Sequence, residues 1–215
     1  MAVSATEMTD STTSAEAQRL RVLSDYSLVD SEPESEFDAI TRLAAQICNV
    51  PHALITFIET DRQWFKSRFG VEATEVPRDI SFCAAVLEED GLIEIPDVRD
   101  DARFANNPMV VDEPHVRFYG SIILKVAGGH RLGSLCVFDS TPGPLNETQR
   151  VGLQDLADLT VTLIEQRLAK RKAETREAML GSLLEALPGG VVACDAEGDL
   201  TLFNSVARKW HQSDP

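Results

Sequence analysis

Thiols are the most reactive side chains in this sequence, and there are four of them: Cys48, Cys83, Cys136 and Cys194. They lie far apart, with no Cys-x-x-Cys pair and no histidine close by. That spacing argues against a zinc site and against a secreted disulfide framework. Cys83 sits in RDISFCAAV (78–86), two places after Ser81, whose hydroxyl suits a helix cap. A thiol in the first turn of a helix meets free N–H groups that favour the thiolate, so Cys83 is a redox candidate. Its neighbours Phe82, Ala84, Ala85 and Val86 equally suit a buried, inert thiol. Cys136 falls between Leu135 and Val137 and reads as a core position in a strand.

Two other stretches carry polar groups in suggestive patterns. In DRQWFKSRFG (61–70) side chains alternate along a strand, so Trp64 and Lys66 share one face and Phe65 takes the other with Ser67. If Phe65 is core, Trp64 and Lys66 lie on the opposite face or at a pocket rim. In the second stretch Asp97, Arg99, Asp100, Asp101 and Arg103 crowd one loop, followed by Phe104. These charges form either a salt-bridge network that pins the loop or the lid of a small-molecule pocket. In the lid reading Arg103 anchors an anion or amide and Phe104 is a wall. Arg117, Phe118 and Tyr119 begin the strand opposite. The four histidines are scattered and suggest no haem or metal.

The elements that must position these groups can be read from periodicity and punctuation. Residues 1–14, rich in Ser, Thr and Ala, read as a loose tail, and a short helix follows over 15–25. Ser31 and Glu34 suit a capping box for a second helix, whose buried face is Phe37, Ile40, Leu43, Ala44 and Ile47 and which Pro51 stops. Strands are expected at 53–59, 62–69, 92–97, 117–127 and 132–139, the first two as a hairpin turning at Thr60-Asp61. The helix starting near Ser81 should run to Gly91. Residues 98–115 read as a long loop with one helical turn, the kind of segment that carries binding functions.

From Asn146 a long helix leaves the domain, with apolar positions Leu153, Leu156, Leu159, Leu163, Ile164 and Leu168, then Met179, Leu180, Leu183, Leu184 and Leu187. A narrow apolar stripe with flanking charge suits a homodimer held through residues 153–187. Pro188-Gly189-Gly190 ends the helix, and a strand, a turn, a strand and a helix start follow.

Composition bounds the function. The 215 residues are 43% hydrophobic and 26% charged, with 35 acidic and 20 basic side chains and a net charge of −15. Such a chain folds around a core and repels phosphate backbones, so neither nucleic acid nor an anionic membrane is an expected partner. The opening MAVSATEMTDSTTSAEA has no basic or apolar leader pattern, and no apolar run reaches membrane-span length. The expected location is cytoplasmic.

Residues of about 19–170 resemble a GAF domain of the type found at the front of bacterial sensor histidine kinases and diguanylate cyclases. The stretches that carry the resemblance are EFDAITRLAA, ALITFIETDRQWFKSRFG, PRDISFCAAV, IPDVRDDARFANNPMV, RFYGSIILKV and LGSLCVFD. SIIL (121–124) stands where this subgroup usually has an alanine-glycine-containing, proline-bearing segment, in the strand that lines the family's pocket. Residues 183–211 resemble the opening of a PAS domain, with an Asp-x-x-Gly turn and then Phe203-Asn204.

The resemblance implies an α+β protein: a GAF-like central antiparallel sheet flanked by helices, a long C-terminal signalling helix and an incomplete PAS start. The expected divisions are a disordered tail (1–14), the GAF domain (15–165), a helical linker (166–187) and the PAS part (188–215). It implies a non-catalytic sensory module of a two-component or related system. Such a module binds an unknown small molecule or dimerises, and relays to an effector domain downstream in the same parent chain. The candidate ligand-binding residues are Trp64, Lys66, Phe82, Cys83, Asp97, Arg103, Phe104, Tyr119 and Cys136. Chromophore-bearing members place a cysteine directly before a histidine, a dipeptide absent here, so no bilin is expected. Two alternatives stand beside the sensor: a ligand-free dimerisation scaffold, and a thiol-based redox sensor or reductase of free methionine sulfoxide. The last needs a nucleophilic and a resolving cysteine.

Overall fold

The structure, a computed structural model, describes residues 5–198 and 200–211. The chain divides into two compact units between Glu165 and Gln166. In the first, six strands form one antiparallel sheet: β1 (His52–Ile58), β2 (Arg62–Phe69), β3 (Glu75–Pro77), β4 (Leu92–Ile95), β5 (Phe118–Lys125) and β6 (Arg131–Asp139). Their spatial order is β3-β2-β1-β6-β5-β4. β1 and β6 run side by side in the centre, and their approach is close. A Cβ on Gly133 would stand 1.8 Å from the Thr56 carbonyl oxygen, so only glycine fits there.

Two helices precede the sheet: α1 (Ala5–Tyr26) and α2 (Ser35–Cys48). The helix expected to start at residue 15 begins at Ala5. With no Gly or Pro before residue 33, extending a turn already anchored at Arg19 and Leu23 costs little. Residues 1–4 of the expected tail lie outside the described residues. The capping box does not form. Glu34 is the N-cap without a side-chain bond, and both Ser31 and Glu34 are engaged by Lys66 instead.

The buried stripe of α2 is Phe37, Ile40, Thr41, Ala44, Ala45 and Cys48, while Leu43 and Ile47 are exposed. The hydroxyl of Thr41, 2.8 Å from that of Ser67, turns the helix one position from the expected face. Asn49, in the left-handed conformation, ends the helix before Pro51 is reached.

The other face of the sheet is covered by α3 (Phe82–Ala85), α4 (Pro108–Val111) and the chain between β4 and β5. α3 is one turn rather than the expected run to Gly91. The acidic residues Glu88, Glu89 and Asp90 would sit at a helix C-terminus, where the dipole opposes them; in the structure they pair with Arg131, Arg103 and Lys125.

The long helix α5 (Glu147–Ala186) packs against α2, where Ile47 lies on Gly152 and Gln149 Nε2 donates to the Cys48 carbonyl at 2.8 Å. Its buried residues are Leu153, Leu156, Ala157, Thr160 and Ile164, so Leu159 is not part of that stripe.

The second unit holds the C-terminal part of α5, the hairpin β7 (Val192–Cys194) and β8 (Leu200–Phe203), and α6 (Ser205–His211). Buried Asn204 ties it together. Its Nδ2 donates to the Leu184 and Gly189 carbonyls, and its Oδ1 accepts from the amides of Val191 and Ala207. Among the described residues no helix is long and apolar enough to cross a membrane.

Candidate ligand cavity

Strand register decides which side chains meet under α3. On the α3 side of the sheet, three rows cross β1, β6 and β5: His52–Phe138–Tyr119, Leu54–Cys136–Ser121 and Thr56–Ser134–Ile123. β2 adds Phe65 opposite Thr56, and Gln63 opposite Ile58. Above this floor lie Phe82 and Cys83 of α3, Met109 of α4, and Val116. Between floor and roof is a cavity of about 310 Å³, whose mouth is bordered by Gly70–Ala73 and Val76. Gly70 has φ +73°, and a Cβ there would lie 2.1 Å from the Pro51 carbonyl oxygen, so glycine is required to bring this segment across the mouth.

The lining is overwhelmingly apolar. Among the described residues it contains no Lys or Arg, and its carboxylate is Glu72. His52 stacks on Phe138 with ring centroids 4.8 Å apart, and its Nδ1 is buried without a protein hydrogen-bond partner. Phe82 stacks on Tyr119 at 5.3 Å and meets the tilted ring of Phe104 at 4.6 Å, which braces the roof from behind.

At the inner end the thiols meet. Cys83 Sγ lies 3.6 Å from Cys136 Sγ and accepts from Gln63 Nε2 and from the Tyr119 hydroxyl, each at 3.2 Å. Ser81 Oγ accepts from the Ala84 amide at 2.9 Å, as the expected cap, and donates to Gln63 Oε1, which fixes the amide that holds the sulfur. Burial raises the Cys83 pKa, but hydrogen bonds from Cys136 and from the Ser134, Tyr119 and Thr56 hydroxyls outweigh it, and the thiol stays below its ordinary value. The bond to Cys83, then burial, push Cys136 well above the ordinary value. The single turn of α3 is too short for a helix dipole to explain this; local donors do. Cys48, by contrast, is pushed up to about 11 by burial.

Of the nine residues expected at the site, Phe82, Cys83, Tyr119 and Cys136 line the cavity. Phe104 is one layer behind. Trp64 and Lys66 lie on the opposite face. Ile55 pairs with Ser67 and Thr56 with Phe65, so Lys66 is the extra residue of a bulge. The bulge also overturns the expected pairing of Phe65 with Ser67: Ser67 points to α2, where it donates to Asp38 Oδ1 at 2.6 Å.

Lys66 Nζ is fully enclosed, bonded to Ser31 Oγ, the Glu32 carbonyl and Glu34 Oε1 at 2.6–2.8 Å. Asp97 and Arg103 are also outside the cavity. Asp97 caps the turn Val98–Asp100, and the Arg117 guanidinium holds its carboxyl well below the usual range. Arg103 pairs with Asp101 at 2.6 Å and with Glu89. The loop charges form a pinning network outside the cavity, while the same segment covers the cavity with Met109 and Pro114. His52, Gln63, Met109 and Val116 are lining residues the sequence reading missed. The first two were findable by counting in twos from Leu54 and Phe65.

A six-stranded antiparallel sheet of this order, with a cavity between one face and the segment that covers it, is the architecture of the first unit. The family model of the GAF domain matches residues 32–164, and the chain belongs to that family. A cyclic di-GMP phosphodiesterase of Pseudomonas aeruginosa is 36% identical over 150 residues, which are 69% of this chain and 26% of that protein. The chain thus spans about a quarter of that relative. Among solved structures, a domain of a two-component sensor histidine kinase protein from Sinorhizobium meliloti matches with TM-score 0.52 and 16% identity, over 64% of this chain and 94% of that one. A type II free methionine-R-sulfoxide reductase from Thermoplasma acidophilum matches with TM-score 0.50 and 12% identity, over 61% and 92%. At these identities the two structures show the fold alone.

Proposed function

We propose that the chain is the sensory input part of a signalling protein and that its cavity binds a small, uncharged, mostly apolar ligand. The observation that carries this is the lining: about 310 Å³ bordered mostly by aliphatic and aromatic side chains, with no Lys or Arg among the described residues and with Glu72 at the mouth. A phosphate-bearing ligand would need cationic partners and would meet a carboxylate instead. The unpartnered Nδ1 of His52 is the polar group that can orient such a ligand.

Native mass spectrometry of the whole chain tests this. An extra mass lost on denaturation is expected, and Val76→Trp, which fills the cavity from its mouth, should abolish it. An empty cavity whose melting temperature rises with cyclic dinucleotides, and with no neutral apolar compound, would overturn the ligand class.

The relay belongs to the same proposal. Met179, Leu180 and Leu183 are exposed on the later turns of α5, at spacing that suits a second copy of the helix. Ligand occupancy would shift the arrangement of such a pair and pass to a PAS domain begun by residues 188–215. An effector domain would follow, a cyclic di-GMP phosphodiesterase or a kinase. Leu183→Glu should dissociate the dimer in sedimentation, and Ala173→Pro should uncouple ligand from output in the parent chain while leaving ligand binding intact. A dimer unaffected by Leu183→Glu would place the interface elsewhere.

A further inference from the structure

Two thiols in contact at the inner end of an apolar cavity are more than the binding of a neutral ligand requires. We propose that Cys83 and Cys136 are a reversible dithiol–disulfide couple, oxidised by small neutral hydroperoxides that enter through the cavity. Four observations support this. The sulfurs are 3.6 Å apart, a distance that a small rotation of either side chain closes to a bond. Both are buried, so no bulky oxidant or second protein reaches them, while both line the cavity, so a small molecule does. Cys83 accepts hydrogen bonds from Gln63 and Tyr119, which is the environment of a thiolate rather than of an inert core thiol. The donors come from strands β2 and β5, which hold the sulfur in place.

The chemistry balances with the hydroperoxide as the named oxidant. The Cys83 thiolate attacks the terminal peroxide oxygen, the O–O bond breaks, and the alkoxide (hydroxide when the oxidant is hydrogen peroxide) leaves and takes up a proton. Cys83 is then a sulfenic acid. The Cys136 sulfur attacks the Cys83 sulfur, the S–O bond breaks, and hydroxide leaves with the Cys136 proton as water. Two thiols have been oxidised and one peroxide bond reduced. Tyr119 and Gln63 lose their sulfur acceptor, so the lining of the cavity changes with redox state. The couple does not require a resident ligand in the cavity.

The test uses the whole chain with the exposed Cys194 replaced by Ser, treated with tert-butyl hydroperoxide, then denatured in N-ethylmaleimide and mapped by mass spectrometry. The expected result is loss of two hydrogens, a cross-link between the Cys83 and Cys136 peptides, and reversal by dithiothreitol. Cys83 should be consumed at least about tenfold faster than Cys48, which keeps its proton at neutral pH. Cys136→Ser should leave a Cys83 sulfenic acid that dimedone traps, and Cys83→Ser should leave Cys136 reduced. Should either variant misfold, the cross-link map of the chain with both thiols decides alone. Full alkylation of Cys83 and Cys136 after peroxide, or a cross-link through Cys48, would overturn the proposal.

Discussion

Gln63 and Lys66 stand three residues apart on one strand, and the two faces of the sheet use them in opposite ways. Toward α2, Lys66 is saturated: a carboxylate, a hydroxyl and a carbonyl take its three protons, and the Phe37 ring lies 5.3 Å from Nζ. Ser67, Thr41 and Asp38 close a second hydrogen-bonded set beside it. These side chains are engaged in holding the chain around α2 to the sheet. Toward α3, Gln63 spends its amide on a thiol, and around it are open volume, an unpartnered His52 nitrogen and two touching sulfurs. The comparison separates polar groups that hold the fold from polar groups that are available to chemistry. Polarity in the sequence does not distinguish them; saturation in the structure does.

The sharpest way to break this contrast is to give both residues the same replacement. Lys66→Met should cost about 3 kcal/mol, because Glu34 and the Glu32 carbonyl lose a buried cationic partner. Urea unfolding measures it, and cavity occupancy in the folded fraction should be unchanged. Gln63→Met should cost about 1.5 kcal/mol, since only the Ser81 hydroxyl and the sulfur lose a partner. Its larger effect should be on Cys83. With one donor gone the thiol pKa moves toward the ordinary value, so alkylation at neutral pH slows. Equal stability losses with no change in thiol reactivity would erase the distinction between the faces.

The same pair shows how much was legible beforehand. The β1–β2 hairpin was readable because two runs rich in β-branched and aromatic residues flank a two-residue turn, and β2 spans 62–69 as expected. The GAF assignment, the Ser81 cap and the long helix were readable from local motifs for the same reason. The bulge at Lys66 was not, because nothing in RQWFKSRF marks which residue is the extra one. That one residue moved Ser67 across the sheet, while Lys66 stays on the face opposite Phe65 where plain alternation places it. Asp97 and Arg103 lie outside this cavity for a different reason: their partners Arg117 and Glu89 are 20 and 14 residues away, and only the fold shows that their charges are matched there. Cys83 and Cys136 were each visible as cysteines. Their contact depends on the β1–β6–β5 register and on where a single turn of helix docks, which are long-range facts.

The smallest expected effect comes from Glu16, which ties α1 to the turn after β3 and tests whether saturated polar groups matter beyond Lys66. Its carboxylate accepts from Arg19 at 2.7 and 2.9 Å and from Arg78 at 2.6 Å. The Arg19 hydrogen bond, more than the opposing desolvation, lowers its pKa from 4.5 to about 2. A depressed carboxylate stabilises the folded state at pH values above its unfolded value, and the contribution is lost as pH falls toward the folded value. Glu16→Gln should therefore cost about 0.5–1 kcal/mol at pH 7, a partly exposed network being screened by solvent. The gap between variant and wild type should shrink between pH 4.5 and 2 and close below that. Unfolding midpoints at pH 7, 4 and 2.5 measure it, and added salt should narrow it at pH 7. A gap that stayed constant with pH would mean that the substitution acts through packing, because the Arg19 guanidinium also donates to the Ile58 carbonyl at 2.8 Å and can hold α1 to the sheet without Glu16.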